Sequence, residues 1–226
     1  ISLETTATTT TINGLSYDSI YYFYIRNICN SDEQSRWIGP VKVRPGSHNI
    51  GTSGNSSITS CGAYIYDNGG IDGNYSAGCN GSIAVYPSDS NSLVVISGTL
   101  ISNSNTNNKL TFYDGTSTSA TEIAVYTGNN NTPVVIPEIM STTGPITIKF
   151  QSNYSTSYAG FELRTSCVDR PTCALIDDIT FANITGTSAM MEWTIMNNLG
   201  ATPTSYELEI SDTNDYVILS QYSNDQ

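Results

Sequence analysis

Along this chain apolar and polar positions alternate in short runs, and each run stops at a cluster of turn residues. Examples are Tyr21-Tyr22-Phe23-Tyr24-Ile25, Ser82-Ile83-Ala84-Val85-Tyr86, Leu93-Val94-Val95-Ile96 and Lys109-Leu110-Thr111-Phe112-Tyr113. Others are Ile146-Thr147-Ile148-Lys149-Phe150, Phe161-Glu162-Leu163 and Tyr206-Glu207-Leu208-Glu209-Ile210. A period of two, filled with β-branched and aromatic residues, suits a pleated surface buried on one side. Gly, Asn, Asp, Ser and Pro separate the runs. No stretch keeps a 3.6-residue apolar period over three turns, so the pattern predicts an all-β chain with almost no helix.

Two interruptions stand out. The stretch Pro45-Gly46-Ser47-His48-Asn49-Ile50-Gly51-Thr52-Ser53-Gly54-Asn55-Ser56-Ser57 is polar and rich in Gly and Ser, which predicts a linker over residues 46–57. A second boundary is predicted at Val168-Asp169-Arg170-Pro171-Thr172. The chain thus divides into 1–45, 58–168 and 171–226. Its 226 residues suffice for one large or two ordinary domains, and a β-sandwich of ~100 residues buries its own core.

Composition narrows the partners. Charged residues are 12% of the chain and the net charge is −12. The basic residues Arg26, Arg36, Lys42, Arg44, Lys109, Lys149, Arg164 and Arg170 do not cluster, so no nucleic acid is expected as a partner. An anionic membrane surface would repel the chain, and no segment has the ~18 apolar residues of a membrane span, so no direct insertion is expected. Ile1 opens a polar, Thr-rich run that does not resemble a signal peptide; a signal for export would have to lie outside this window. The 5 cysteines fit an oxidising compartment, and none sits in a CxxC pair of the kind zinc favours.

Catalytic constellations are missing from the sequence. His48 is the single histidine and falls in the predicted linker, where nothing would hold it beside a nucleophile. The acids fall mostly in turns, such as Asp212 and Asp215, with no sign of the held pair a glycosidase requires. Phe181, Trp193 and Tyr206 read as core, and Trp37 as exposed. Asn-x-Ser/Thr sequons occur at Asn55, Asn74, Asn80, Asn130, Asn153 and Asn183, as chance allows in an Asn/Ser/Thr-rich chain.

Leu15-Ser16-Tyr17-Asp18-Ser19-Ile20-Tyr21 resembles the L-x-P-x-T-x-Y corner of fibronectin type III domains, with Tyr17 in place of Pro and Ser19 in place of Thr. On that resemblance residues 1–45 are the C-terminal half of such a domain, and Tyr21 is the corner tyrosine whose hydroxyl bonds back to the preceding loop. Ser188-Ala189-Met190-Met191-Glu192-Trp193 and Tyr206 to Ile210 resemble strands of the N-terminal half, placing that half at 171–226. The two halves, in reverse order, add up to about one domain of ~100 residues. Two readings stay open: one period of a tandem array, in which Cys173 meets Cys29 of the next unit, or a fragment whose halves belong to two different domains.

Asp67-Asn68-Gly69-Gly70-Ile71-Asp72-Gly73-Asn74-Tyr75-Ser76, Leu110-Thr111-Phe112-Tyr113-Asp114-Gly115 and Ala159-Gly160-Phe161-Glu162-Leu163 resemble the opening, core strand and closing strand of CUB-like sandwiches of the Bacteroidetes kind. The resemblance implies a jelly-roll sandwich over 58–168, flanked by immunoglobulin-like fibronectin halves. Many CUB domains hold calcium on carboxylates; the matching positions here are Ser102 or Asn103, Asn108 and Asn153, and none is acidic. The usual calcium site is therefore expected to be empty and no cofactor is expected. Asp67 and Asp72 are the acids of the opening loop that could hold calcium, and beside glycines they equally suit turn hydrogen bonds. The family suggests two disulfides, Cys61–Cys167 with Cys79 left odd, or Cys61–Cys79; the first is favoured because Cys61 and Cys167 bracket the domain, and the sequence does not decide connectivity.

These readings converge on a non-catalytic, exported adhesin or surface-filament segment. The alternatives are an accessory region of a large secreted hydrolase or a eukaryotic extracellular CUB protein. Expected partners are a glycan, a surface protein or another copy of the chain. The loops expected to touch them carry Asn103, Asn105 and Asn108, then Asn130, then Asn153, Tyr154 and Tyr158.

Overall fold

The computed structural model describes residues 2–17, 19–30, 33–103, 107–130, 132–155, 157–196 and 199–208. The chain forms two compact units, Ile1–Arg170 and Pro171–Gln226. The first unit holds β1 (Tyr21–Ile25), β2 (Ile38–Val43), β3 (Ser47–Asn49), β4 (Ser53–Thr59), β5 (Tyr64–Tyr66), β6 (Asn80–Tyr86) and β7 (Ser92–Ile101). It continues with β8 (Lys109–Asp114), β9 (Thr121–Thr127), β10 (Val134–Met140), β11 (Ile146–Gln151) and β12 (Gly160–Asp169). The second unit has β13 (Ile176–Ala182) and β14 (Met190–Ile195). No helix occurs among the described residues, as the absence of a 3.6-residue period implies.

The first unit is a two-layer sandwich. One five-stranded sheet runs β10-β7-β12-β5-β3 and the other β4-β6-β11-β8-β9. Alternate residues of each strand turn inward. Ile65, Val94, Ile96, Leu100, Ile136, Phe161 and Leu163 from one sheet meet Ile83, Val85, Leu110, Phe112, Ile146, Ile148 and Phe150 from the other in one buried cluster. Phe150 packs edge-on against Phe161 across the layers, with ring centroids 5.2 Å apart. A disulfide joins Cys61 to Cys167, closing a loop with a sequence separation of 106. Cys79 is left as a buried thiol.

Residues 46–57 are not a linker. Ser47–Asn49 form β3, which pairs in parallel with β5, and Ser53–Thr59 form β4, which pairs in parallel with β6. The segment crosses from one sheet to the other at Ile50, which is buried in the core. Its composition misled because both are edge strands. The side chains of β4 are exposed except at Ile58, so Ser, Gly and Asn are tolerated while the backbone makes the ladder. The sandwich is accordingly mixed at its edges rather than wholly antiparallel. His48 stands in β3 opposite Ile65, half-buried, and not in a solvated linker.

Residues 1–45 add the antiparallel ribbon β1–β2. The Tyr21 hydroxyl accepts the Ser16 backbone N–H at 2.7 Å, a bond from the strand back to the preceding turn. The ribbon is tied to the sandwich by its two last cations. Arg44 lies flat over the Tyr64 ring, 3.8 Å from its centroid, and donates to the Tyr66 hydroxyl at 2.6 Å and to Glu162 Oε1 at 2.9 Å. Lys42 pairs with Asp72.

In the second unit β13 pairs antiparallel with β14. Tyr206–Leu208 form no strand, and Glu209 and Ile210 lie outside the described residues, as do Asp212 and Asp215. Phe181, Trp193 and Tyr206, expected as core, are exposed. Among the described residues their sheet has two strands, and Trp193 packs edge-on against Tyr206, with ring centroids 5.0 Å apart.

Candidate functional site

Three loops meet at one end of the sandwich: the turn after β7, the loop between β9 and β10, and the loop between β11 and β12. The centre of the group is Tyr75, fully buried, whose ring packs edge-on against Phe150 at 5.1 Å. Its hydroxyl lies 2.8 Å from Ser102 Oγ and accepts from Asn108 Nδ2 at 3.4 Å. Asn108 also donates to Asn103 Oδ1, and its own Oδ1 accepts the Asn153 backbone N–H at 2.7 Å. The Asn153 carbonyl in turn accepts the Gly78 N–H at 2.6 Å.

Ser102, Asn103, Asn108 and Asn153, the positions that the sequence resemblance singled out, are thus brought together around Tyr75 and Asn108. These residues carry no charge, and they are linked through neutral hydrogen bonds to Tyr75 and Asn108. A divalent ion gains little from such a set, because amide and hydroxyl oxygens bring no anionic charge.

Asn108 is only 1% exposed, so it positions the loops and touches no partner, contrary to its expected place among contact residues. Tyr158 is half-buried beside Tyr75, and its carbonyl accepts the Tyr75 N–H at 3.0 Å. Asn130 is exposed in the loop between β9 and β10, with φ of 47°. That loop reaches the cluster through Gly128, where a Cβ would fall 2.3 Å from the Ser102 carbonyl carbon. Asn105 lies outside the described residues. Tyr154 is the outward residue: its ring lies against Gly78, yet it is 91% exposed.

Asp67 and Asp72 do not share a site of their own. Asp67 is buried and accepts the backbone N–H of Gly69 at 2.8 Å and of Phe161 at 3.0 Å. Burial pushes its carboxyl up to about 6, against the lowering pull of those amides. Asp72 instead faces Lys42. Among the described residues no group of three or more His, Cys, Asp or Glu side chains comes together as a metal site.

A third acid has a structural role that the sequence did not signal. Asp114 accepts from the backbone N–H of Thr142 at 3.0 Å and of Thr143 at 3.1 Å, and from both hydroxyls. Burial alone would raise its carboxyl; these donors together hold it below the usual carboxylate range. It fastens the end of β8 to the turn before β11.

No protein-family model matches the chain, and no curated protein does. In structure it is similar to the full extracellular region of zebrafish Gpr126/Adgrg6, with 16% identity, 52% of this chain and 15% of that chain covered, and a TM-score of 0.42. It is also similar to the CUB1-EGF-CUB2 domains of rat MASP-1, with 13% identity, 51% of this chain and 43% of that chain covered, and a TM-score of 0.41. The chain thus spans less than half the length of either.

Proposed function

We propose that this chain is a non-catalytic extracellular binding module, a segment of an adhesin or surface filament, whose contact surface is the loop end around Tyr154. The observation that carries the reading is the neutral hydrogen-bonded cluster of Tyr75, Ser102, Asn103, Asn108 and Asn153, which joins the loops of this end, with Tyr154 standing outward beside it. A flat, exposed aromatic ring beside amide side chains offers a stacking face and directional hydrogen bonds, the chemistry that suits a sugar ring. The chain is a CUB-like sandwich carrying fibronectin type III half-domains, in an exported protein of Bacteroidetes type. The Cys61–Cys167 disulfide fits an oxidising, extracellular setting. An array of such modules multiplies weak contacts by avidity.

The test is binding of the 226-residue chain, displayed multivalently, to a glycan panel. Saturable binding that Tyr154→Ala abolishes, with the melting midpoint unchanged, supports the reading. Binding indifferent to Tyr154→Ala, or no binding to any glycan, counts against it.

A further inference from the structure

The chain carries Asn-Gly pairs at Asn13-Gly14, Asn68-Gly69 and Asn80-Gly81. Glycine has no Cβ to keep the preceding side-chain amide away from its backbone nitrogen, so an Asn-Gly pair can close on itself when nothing else holds it. The structure gives the pairs very different surroundings.

Asn68-Gly69 is held on every side. The Asn68 side chain donates to Ser76 Oγ at 2.7 Å, and its Oδ1 accepts the Ser76 backbone N–H at 3.1 Å and the Cys79 thiol at 3.2 Å. The Gly69 N–H is itself engaged, donating to Asp67 Oδ1 at 2.8 Å. Asn80-Gly81 lies inside β6, which pairs with β4 on one side and β11 on the other. The Asn80 N–H donates to the Thr52 carbonyl at 2.8 Å, and a Cβ on Gly81 would fall 2.1 Å from the Gly51 carbonyl oxygen. In neither place can the side chain swing over the next nitrogen unless those bonds open first.

Asn13-Gly14 differs in each respect. Both residues are exposed and lie outside any strand. Among the described residues neither the Asn13 side chain nor the Gly14 N–H makes a hydrogen bond. Gly14 has φ of 76°, and nothing lies within 4 Å of the place where a Cβ would stand.

We propose that Asn13 is a self-modification site, which the folded protein leaves open to deamidation while it locks Asn68 and Asn80. Hydroxide takes the Gly14 N–H proton, and that nitrogen attacks Asn13 Cγ. The new N–Cγ bond closes a cyclic imide, and the side-chain nitrogen takes up a proton and leaves as ammonia. Water then opens the ring, at Cγ to give aspartate or at the backbone carbonyl to give isoaspartate. Nothing is oxidised or reduced, and hydroxide and water are the only co-reactants. Either product adds a negative charge to a chain already at −12. The isoaspartate also inserts a methylene into the main chain shortly before Ser16, whose N–H bonds to the Tyr21 hydroxyl at 2.7 Å.

The test is incubation of the whole native chain in warm, mildly alkaline buffer, followed by reduction and tryptic mapping. No lysine or arginine precedes Arg26, so Asn13 travels in a peptide apart from Asn68 and Asn80. Electron-transfer fragmentation separates aspartate from isoaspartate. Both are expected at position 13, formed at least about tenfold faster than at positions 68 and 80, where the fold must open before reaction. In urea with the disulfide reduced, Asn13 is expected to react at nearly its native rate and the other two to catch up with it. Gly14→Ala is expected to slow conversion at Asn13 severalfold in both conditions. A native Asn13 that does not convert, an Asn68 or Asn80 that converts as fast, or a preference for Asn13 that persists undiminished in urea overturns the proposal. Glycan binding has no bearing on any of these outcomes, so the two readings stand or fall separately.

Discussion

Asn108 Oδ1 accepts the backbone N–H of Asn153 at 2.7 Å, joining the start of β8 to the loop after β11 at a position sealed from water. The same amide donates to the Tyr75 hydroxyl and to Asn103. One side chain therefore holds three separate segments of the loop end.

Asn108→Ala removes that junction: the Asn153 N–H loses its Asn108 acceptor, while the Tyr75 hydroxyl keeps Ser102. A buried polar group left unsatisfied costs about 1–3 kcal/mol. Urea denaturation is expected to show a loss of that order with an unchanged slope. A variant as stable as wild type would mean that water or a neighbour replaces the amide at no cost.

Gly160 opens β12 with φ of 79°, and a Cβ there would lie 1.7 Å from Asp67 Oδ2. Gly160→Ala meets both the backbone conformation that favours glycine and a buried carboxylate that cannot retreat. A loss of more than about 3 kcal/mol, or failure to fold, is expected by thermal denaturation. A tolerated alanine would show that Asp67 is not held where its two amide bonds place it.

The carboxyl of Asp67 is raised by burial from 3.8 to about 6. The folded state therefore binds this proton more tightly than the unfolded chain does. Its stabilising contribution is fully present below the ordinary carboxylate range and is lost as pH rises through about 6. Asp114 is lowered, so its contribution is present above 3.8 and is lost as pH falls through its depressed value. The two windows do not overlap. Asp67→Asn is expected to flatten the pH dependence of the denaturation midpoint between about pH 4 and pH 6 while leaving the more acidic loss in place. An unaltered profile in the Asn variant would refute the assignment.

Arg44→Lys keeps the charge but loses the flat stacking on Tyr64 and the two-armed reach to Tyr66 and Glu162. The expected effect is local: cleavage by trypsin at Arg26, Arg36 and Lys42 speeds up several-fold while the sandwich melts at nearly its wild-type temperature. Equal cleavage rates would show that the ribbon is held by other contacts.

The sandwich was legible in the sequence where strands bury one face. Ile83 and Val85 flank the small Ala84, Phe112 follows Thr111, and Ile148 and Phe150 alternate with Thr147 and Lys149; all five large side chains reach the core. Edge strands were not legible, because Ser53–Thr59 bury almost nothing and bond through their backbone. The sequence brought Asn103, Asn108 and Asn153 forward in two ways, by resemblance as places where carboxylates were missing and as polar loops between strands. That they bond to each other around Tyr75 depends on contacts between residues far apart in the chain. Phe181 and Trp193 read as core by hydrophobicity alone, which does not reveal that their sheet has two strands among the described residues.

The claim on which the account turns is that the loop end is complete without a cation. Calorimetric titration of the chain with calcium, paired with its melting midpoint in calcium and in EDTA, tests it most directly. The account expects no saturable heat and the same midpoint in both. Saturable calcium binding that raises the midpoint would show that the cluster around Tyr75 and Asn108, or the loop of Asp67 and Asp72, is a metal site after all.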